Sequence, residues 1–497
     1  MGPILSAASE LFANASFFLA MFLGTIFGLV IGILPGLGGG IAIALLIPLT
    51  FSMEPGVSII AMIAAYGASV IGGCFTAILL NTPGDSENAV TLLDGYPMAK
   101  QGRAGEAIGA AMSGSIAGTV IGFIILLVLI PVAQKVILAF SYPEFFMMTM
   151  LGLLVIVMVM KGNWAKGLIS AGFGLMLSFI GPDPQMGSPR FSFGLTYLYD
   201  GLSITVIVIG LFAIAEALEL VSRGESVSSK TDPIKVNGVY TGYLAAWRHK
   251  YIVLRSSIIG IIIGAIPGVG GTVAGFLAYG QTVQLSKNKE KFGKGAVEGV
   301  IAPEAAHRAK EGGALLPTLA FGIPGSSGMA ILIGAFILHG LQPGPQMLKE
   351  HADIIWLIIF GWFYGGIVAA LIGTFVGKYM VGITRVSGYY IGPAIVLLCL
   401  VGGYAIDNSM VSVFLVLVFG MIGFWMKKFG YSRVPFVIAF ALGQLAELTF
   451  TQTKTAMGLS AFVTRPICLV LLVLCIVMVF YPLLKRFKVD KQKGASV

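Results

Sequence analysis

Two polar stretches interrupt apolar segments of this 497-residue chain. The first, tip 1, is LLNTPGDSENAV at residues 79–90, and the second, tip 2, is FGIPGSSGMA at residues 321–330. Each combines a Pro-Gly pair with small hydroxyl or amide side chains. A helix broken at such a point exposes backbone N–H groups and the positive end of its dipole, which together bind anionic oxygens. The two tips therefore predict a site for anionic oxygens that needs no buried Lys or Arg.

The predicted substrate ligands are the polar side chains and the bent backbone of both tips, which we expect to approach the substrate from opposite sides. The residues of tip 1 are Asn81, Thr82, Pro83, Gly84 and Ser86. The residues of tip 2 are Pro324, Gly325, Ser326 and Ser327. For either tip alone the alternative is an ordinary exposed turn, because the same residue types favour turns. The recurrence of the pattern favours the site.

Asp85 in tip 1 fits an anion site less simply. A carboxylate beside an anionic substrate repels it unless it is protonated, is paired with a cation or turns away. Asp85 is therefore a candidate for binding a coupling ion, Na⁺ or H⁺.

Two glycine clusters form a second pair of motifs, GILPGLGGGIA at 32–42 and GAIPGVGGTVA at 264–274. A Pro-Gly-x-Gly-Gly sequence cannot continue an undistorted helix. A break of this kind in a membrane is tolerated only inside protein or beside a water-filled cavity. The clusters therefore predict helix breaks at a substrate or ion site, with no Walker or Rossmann context that would indicate nucleotide binding. Their residues are Pro35, Gly36, Gly38, Gly39, Pro267, Gly268, Gly270, Gly271 and Thr272.

The paired motifs indicate an internal duplication. The two glycine clusters align without a gap, with Pro35 on Pro267, which we call the cluster alignment. The tips also align without a gap, with Pro83 on Pro324, which we call the tip alignment, and the order of the motifs is the same in both halves. This predicts a first transmembrane repeat at 15–222, a linker at 223–250, a second repeat at 251–460, and a C-terminal helix with a basic tail at 461–497.

The distribution of basic residues predicts how the repeats lie in the membrane. The linker and the C-terminal tail are basic, which places both, and the C-terminus, in the cytoplasm. Loop 161–166 is basic whereas its counterpart 405–410 is not, and loop 427–433 is basic whereas 181–187 is not. The basic loop lies in the first half of the chain in one pair and in the second half in the other pair. Equivalent loops therefore face opposite sides of the membrane, and the repeats are predicted to be inverted.

Composition defines the class of protein that positions these motifs. The chain is 57% hydrophobic and 11% charged, whereas soluble domains are about 25% charged. Many windows approach the ~20 apolar residues that span a bilayer, which predicts an all-α polytopic membrane protein with about 10–14 membrane elements, broken helices and re-entrant hairpins. The net charge of +9 is explained by loops and does not indicate nucleic-acid binding. Glu298, Glu304, His307 and Glu311 are interpreted as a solvated or cytoplasmic face, with a proton path as the less favoured alternative.

Longer motifs carry a family resemblance. They are LPGLGGG, LLNTPGDSENAVTLLDGYPMAKQGRAGEA, IPGVGG, FGKGAVEGVIAPEAA and GGALLPTLAFGIPGSSGMAILIGAFILHGLQPGP. The chain resembles the large membrane (permease) subunit of the tripartite tricarboxylate transporter family of bacterial inner membranes. The resemblance implies uptake driven by a Na⁺ or H⁺ gradient without an organic cofactor. It also implies a small membrane subunit with about four helices and a periplasmic solute-binding protein as partners.

Several alternatives stay open. A citrate-like tricarboxylate is the default substrate, with a dicarboxylate or another organic anion as the alternative; a homodimer is one alternative for the oligomeric state. An elevator-like movement is an analogy with inverted-repeat transporters. A channel is disfavoured because no repeated filter motif is present. An enzyme is disfavoured because no catalytic triad or metal-ligand pattern stands out, and no metal is predicted.

Overall fold

The structure, a computed structural model, describes residues 2–34, 36–137, 140–159, 164–183, 186–223, 237–266, 270–380 and 388–477. Pro35, Pro267 and Gly268, most of the linker and the basic tail lie outside the described residues. The described chain is almost entirely helical, with one two-stranded antiparallel ribbon, β1 (Gly181–Pro182) and β2 (Pro189–Arg190).

The helices follow one another with short connections. The first are α1 (Gly2–Ala13), α2 (Ala15–Ile33), α3 (Gly39–Thr50), α4 (Pro55–Leu80), α5 (Leu92–Lys100), α6 (Ala104–Ile137), α7 (Tyr142–Val159) and α8 (Trp164–Ser178). The next are α9 (Ile204–Val208), α10 (Ala215–Arg223), α11 (Val239–Arg248), α12 (Lys250–Ala265), α13 (Gly270–Leu285), α14 (Glu298–Phe321) and α15 (Ser327–Leu338). The last are α16 (Pro345–Glu350), α17 (Ala352–Met380), α18 (Gly388–Asp407), α19 (Met410–Lys428), α20 (Arg433–Ala456) and α21 (Ala461–Thr464). Short 3₁₀ turns occur at Ser86–Ala89, Thr196–Asp200 and Lys289–Lys291, and a π-helical segment, Ile209–Ile214, joins α9 to α10.

Eight helices of the described chain are long and apolar enough to cross a bilayer, and four shorter apolar helices accompany them. Together they make twelve elements, within the predicted range. The chain is thus a polytopic helical membrane protein, as predicted.

Both tips are turns between two helical elements. The helix before each tip ends in the left-handed region, α4 at Asn81 (φ 55°) and α14 at Gly322 (φ 69°). Each following turn or helix has a side-chain N-cap, Asp85 for the 3₁₀ turn after α4 and Ser326 for α15. Asn and Gly tolerate this backbone conformation, and Asp and Ser are favoured N-caps.

The chain forms two compact units, which we describe separately. Unit 1 contains residues 1–134 and 205–428, and unit 2 contains residues 135–204 and 429–497. Each unit takes segments from both halves of the sequence, so the units are not the predicted repeats, and the duplication stays a prediction.

Ion pairs and aromatic contacts hold unit 2 together. Arg190 donates two hydrogen bonds to Glu447, at 2.6 and 2.9 Å. Phe146 lies against Phe450 and Phe462, with ring centroids 5.2 and 5.1 Å away. These contacts join α7 and the ribbon, from the first half of the chain, to α20 and α21, from the second half.

In unit 1, two helix crossings have matching glycine contacts. A Cβ added to Gly32 of α2 would lie 1.9 Å from Ser69 O of α4. A Cβ added to Gly264 of α12 would lie 2.1 Å from Lys310 O of α14. The two glycines are equivalent in the cluster alignment, and Ser69 and Lys310 are equivalent in the tip alignment. This match supports a duplication of the α2–α4 crossing in α12–α14.

Candidate substrate and ion site

Tip 1 is fixed by its own polar side chains. Asn88 Nδ2 donates to Val70 O of α4 at 3.0 Å, and Asn88 Oδ1 accepts from Asp85 N at 3.3 Å. The Asp85 carboxylate accepts from Ser86 Oγ at 2.9 Å and from Gly39 N of α3 at 3.3 Å. Asp85 therefore caps the turn and ties it to the start of α3. Its role in ion coupling stays a prediction.

The other predicted residues of tip 1 differ in exposure. Asn81 and Ser86 are exposed, Thr82 and Pro83 are half-buried, and Gly84 is buried. A Cβ on Gly84 would lie 2.2 Å from a backbone oxygen of α2, so close helix packing requires this glycine.

Tip 2 is more buried. Pro324, Gly325 and Ser326 are buried, and Ser327 is exposed. Gly325 N donates to Thr318 Oγ1 of α14 at 3.2 Å. The exposed hydroxyl of tip 2 is therefore that of Ser327, which the tip alignment places on the exposed Ser86 of tip 1.

The glycine clusters lie beside the tips. Gly36 has φ +85° and donates its N–H to Gly84 O at 2.9 Å. Gly38 is the N-cap of α3, and Gly39 is buried. Gly270 begins α13 with φ +76°. It is followed by the buried Gly271 and the half-buried Thr272. These residues start α3 and α13 after a break, as predicted.

Tyr66 of α4 joins tip 2 to the first glycine cluster. Its hydroxyl hydrogen-bonds Ser326 Oγ at 3.1 Å. Cβ atoms added to Gly39 and Gly328 would lie 2.6 and 2.0 Å from its ring, so both backbones pack directly on it. The N-terminal ends of α3 and α15 therefore meet around one buried aromatic side chain.

Glu87 joins tip 1 to the second glycine cluster. Its Oε1 accepts from Lys310 Nζ of α14 at 2.7 Å. A Cβ added to Gly271 would lie 2.1 Å from Glu87 Oε2. A buried ion pair therefore lies where α13 begins. The predicted anion site required no buried cation, whereas the structure places Lys310 there. Lys310 Nζ is also 5.9 Å from the Tyr66 ring centroid, so this cation lies near both tips.

The interpretation of α14 as a solvated face is wrong beyond its first turn. Glu298 is partly exposed, but Glu304, His307 and Glu311 have no exposed surface. They are buried because α12, α13 and α5 pack against α14, and because most of the charges are paired. Arg308 pairs with Glu311, which also accepts from Trp362 Nε1 at 2.9 Å.

Sequence reasoning therefore missed Tyr66, Arg308 and Lys310 as members of the site, and it preferred exposure for the acidic residues and the histidine of α14. The tip alignment contains a signal that could have found them. It places EAAHRAKE at 304–311 on IAAYGASV at 63–70, a stretch of α4 too apolar to be solvated. Because α4 is apolar enough to be buried, the charged residues at the equivalent positions of α14 are predicted to be buried as well.

A helical membrane protein with two polar hairpins around buried charges is typical of a secondary transporter. The sequence profile of the tripartite tricarboxylate transporter TctA family matches residues 18–438. The chain belongs to this family. It is therefore a membrane subunit of a tripartite transport system, which works with partner subunits, and the family is one of transporters and not of enzymes.

Two relatives from Agrobacterium vitis are similar. The "uncharacterized 52.8 kDa protein in TAR-I ttuC' 3'region" is 34% identical over 466 residues, which cover 91% of each chain. The "uncharacterized protein in TAR-II ttuC' 3'region" is 34% identical over 234 residues, which cover 46% of this chain and 96% of that one. No solved structure matches the chain.

Proposed function

We propose that this protein takes up a citrate-like tricarboxylate, or a related dicarboxylate or organic anion, and that the substrate binds between tip 1 and tip 2. The observation that carries the proposal is the meeting of α3 and α15 around Tyr66. A Cβ on Gly40 of α3 would lie 3.9 Å from Gly328 Cα of α15, so the positive ends of two twelve-residue helices are adjacent. Such ends favour carboxylate oxygens.

The side chains around these helix ends support the same proposal. Ser86 and Ser327 are exposed hydroxyls, one from each tip. Ser327 can donate to a substrate carboxylate, and Ser86, whose one proton is bonded to Asp85, can do so by exchanging that bond. Lys310 adds a positive charge nearby, and its pairing with Glu87 offsets the cost of burial. Asp85 is bound by protein donors, which reduces its repulsion of an anion.

The wider setting is part of the proposal. Uptake is driven by a Na⁺ or H⁺ gradient across the bacterial inner membrane. A periplasmic solute-binding protein delivers the substrate, and a small membrane subunit completes the assembly. The C-terminus lies in the cytoplasm, and inverted repeats move the site in elevator fashion.

Transport of radiolabelled citrate into proteoliposomes that hold the complete three-subunit system tests the site. Ser86→Ala and Ser327→Ala should each weaken apparent affinity by up to ~100-fold, because a hydrogen bond to a charged oxygen contributes about 1.5–3 kcal/mol. Ser9→Ala is the matched control, because Ser9 is also exposed and donates only locally, to Ser6 O at 2.8 Å. Citrate binding to the separate periplasmic subunit must stay unchanged. Unaltered affinity in both tip variants would show that the tips are only turns.

A further inference from the structure

The buried charges of unit 1 do not balance. Around α14, the fully buried cations are Arg308 and Lys310, and the buried carboxyls are Glu87, Glu304, Glu311 and Asp94, the last bonded to backbone N–H groups and a tyrosine. Arg308 pairs with Glu311, and Lys310 pairs with Glu87. Glu304 has no cation bonded to it among the described residues. A buried carboxylate without a cation partner is unfavourable, and binding a proton removes that cost.

The partners of Glu304 suit both of its charge states. Thr91 Oγ1 lies 2.6 Å from Oε1, and Ser115 Oγ lies 3.1 Å from Oε2. A hydroxyl can donate to a carboxylate and can also accept from a carboxylic acid. Lys and Arg only donate, so Lys310 and Arg308 cannot accept a hydrogen bond from a protonated Glu87 or Glu311. Glu304 is thus the buried carboxyl of this cluster that can gain and lose a proton without losing its hydrogen bonds.

The other ionisable groups near Glu304 have different partners. On α14, His307 and Arg308 lie one turn further on, followed by Lys310 and Glu311. The other elements present Cys74 on α4, Glu87 in tip 1 and Asp94 on α5, while α6 presents hydroxyl groups.

Asp94 and His307 are the main competitors for a proton. Asp94 accepts from the N–H groups of Gly295 and Ala296, each at 2.8 Å, and from Tyr279 Oη at 2.9 Å. The two backbone N–H groups only donate, so they cannot accept a hydrogen bond from a carboxylic acid. His307 is fully buried and has no hydrogen-bond partner for either ring nitrogen in the described chain, so its charged form is unfavourable.

We propose that Glu304 is a reversible proton site and that its proton is the one coupled to carboxylate uptake. The inference rests on the proposed function and assigns its coupling ion. Thr91 directly follows tip 1, so Glu304 is bonded to the end of tip 1, and it lies on α14, the helix that leads into tip 2. The site loads with Glu304 protonated. After substrate release on the inner side the proton leaves to water, and the carboxylate keeps the Thr91 and Ser115 hydrogen bonds.

Transport in complete three-subunit proteoliposomes, with radiolabelled citrate as the probe, tests the coupling. A proton gradient of one pH unit can drive about tenfold accumulation through one coupled proton. Glu304→Gln mimics the protonated form, so it should lose this accumulation while keeping citrate exchange at equal pH. The matched control is Glu290→Gln in the exposed loop before α14, which should behave as wild type. Accumulation that persists in Glu304→Gln, or that is driven by a Na⁺ gradient alone, overturns the proposal. So does loss of pH-driven accumulation in His307→Gln but not in Glu304→Gln.

A second readout is independent of substrate. Infrared spectra of the purified protein at varied pH should show a titrating C=O band of a protonated carboxylic acid, absent in Glu304→Gln and shifted in Thr91→Val. If citrate is not transported but this band is present, the proposed substrate fails while the proton site stands. If the band is unchanged in both variants, the proton site is wrong. Thr91→Val also keeps the test decisive if Glu304→Gln does not fold.

Discussion

The hairpins of tip 1 and tip 2 share their backbone packing but differ in the side chains placed on it. Asn81 and Gly322 end the preceding helices, and Asp85 and Ser326 cap the elements after them. The members of each pair are equivalent in the tip alignment. The crossings α2–α4 and α12–α14 use equivalent glycines. The same backbone thus supports two different sites.

The difference lies in the helices that lead into the tips. The alanines of IAAYGASV at 63–70 recur in EAAHRAKE at 304–311, because helix crossings require small residues. The positions between them change from neutral to charged side chains. Tip 2 therefore rests on the neutral Tyr66, whereas tip 1 rests on the charged Lys310. In the proposed mechanism, the substrate therefore binds beside α4 and the coupled proton binds on α14.

The largest expected effect comes from breaking the buried ion pair between Lys310 and Glu87. Lys310→Met leaves Glu87 buried without its cation, which should destabilise the protein by about 3–5 kcal/mol. Its counterpart Ser69 makes one neutral hydrogen bond, to Tyr66 O at 2.8 Å, so Ser69→Ala should cost only about 0.5–1.5 kcal/mol. Thermal unfolding in detergent measures both.

A double variant separates charge from packing. Lys310→Met with Glu87→Gln removes both charges and should recover part of the lost stability. Equal losses for Lys310→Met and Ser69→Ala would show that the two hairpins do not differ in this way.

The second prediction concerns what the hairpins share. Gly32→Ala and Gly264→Ala should each destabilise by about 1–3 kcal/mol, because the added Cβ would overlap a backbone oxygen and force the helices apart. Gly280→Ala in α13 is the control, because a Cβ there meets nothing within 4 Å. That control should be neutral or stabilising by up to about 1 kcal/mol. If the melting temperature falls in only one of the two variants, Gly32→Ala or Gly264→Ala, the two crossings do not share their packing.

The features that depend on local sequence could be predicted. The apolar helices, the breaks at Gly36 and Gly270 and the turns at both tips follow from hydropathy and from Pro and Gly, which act on their immediate neighbours. The contact of Tyr66 with tip 2 and the burial of Glu304 depend instead on partners from the other half of the chain. Polarity alone favours exposure, and only pairing across helices overrides it.

The third prediction compares the two N-caps and tests the role of Asp85. Asp85→Ala should cost more than Ser326→Ala, about 1.5–3 against 0.5–2 kcal/mol, because the Asp85 carboxylate also holds Gly39 N of α3. Asp85→Asn keeps one of the two acceptor oxygens, so it should lose less stability than Asp85→Ala and should retain ion-driven citrate uptake. Loss of ion-driven uptake in a stable Asp85→Asn protein would instead assign the coupling ion to Asp85 and contradict the assignment to Glu304.

The smallest effect is expected at the N-terminal end of α14, where the charged side chains are partly exposed. His249 Nε2 lies 3.2 Å from Glu298 Oε1, and Lys291 pairs with the same carboxylate. The hydrogen bond to Glu298 raises the pKa of His249 above its ordinary value of about 6.5, against the opposing effect of burial. A raised pKa in the folded protein means that the contribution is fully present below about pH 6.5 and is lost as the pH rises through the folded pKa.

Because the His249 side chain is about one-third exposed, solvent screening should limit this contribution to at most about 1 kcal/mol. His249→Gln removes the titration, so wild type should melt at a higher temperature than the variant in acid and at nearly the same temperature in alkali. Melting curves in detergent from about pH 5 to pH 9 measure this difference around the ordinary pKa of His. A difference that stays constant over that range would show that His249 acts through packing alone.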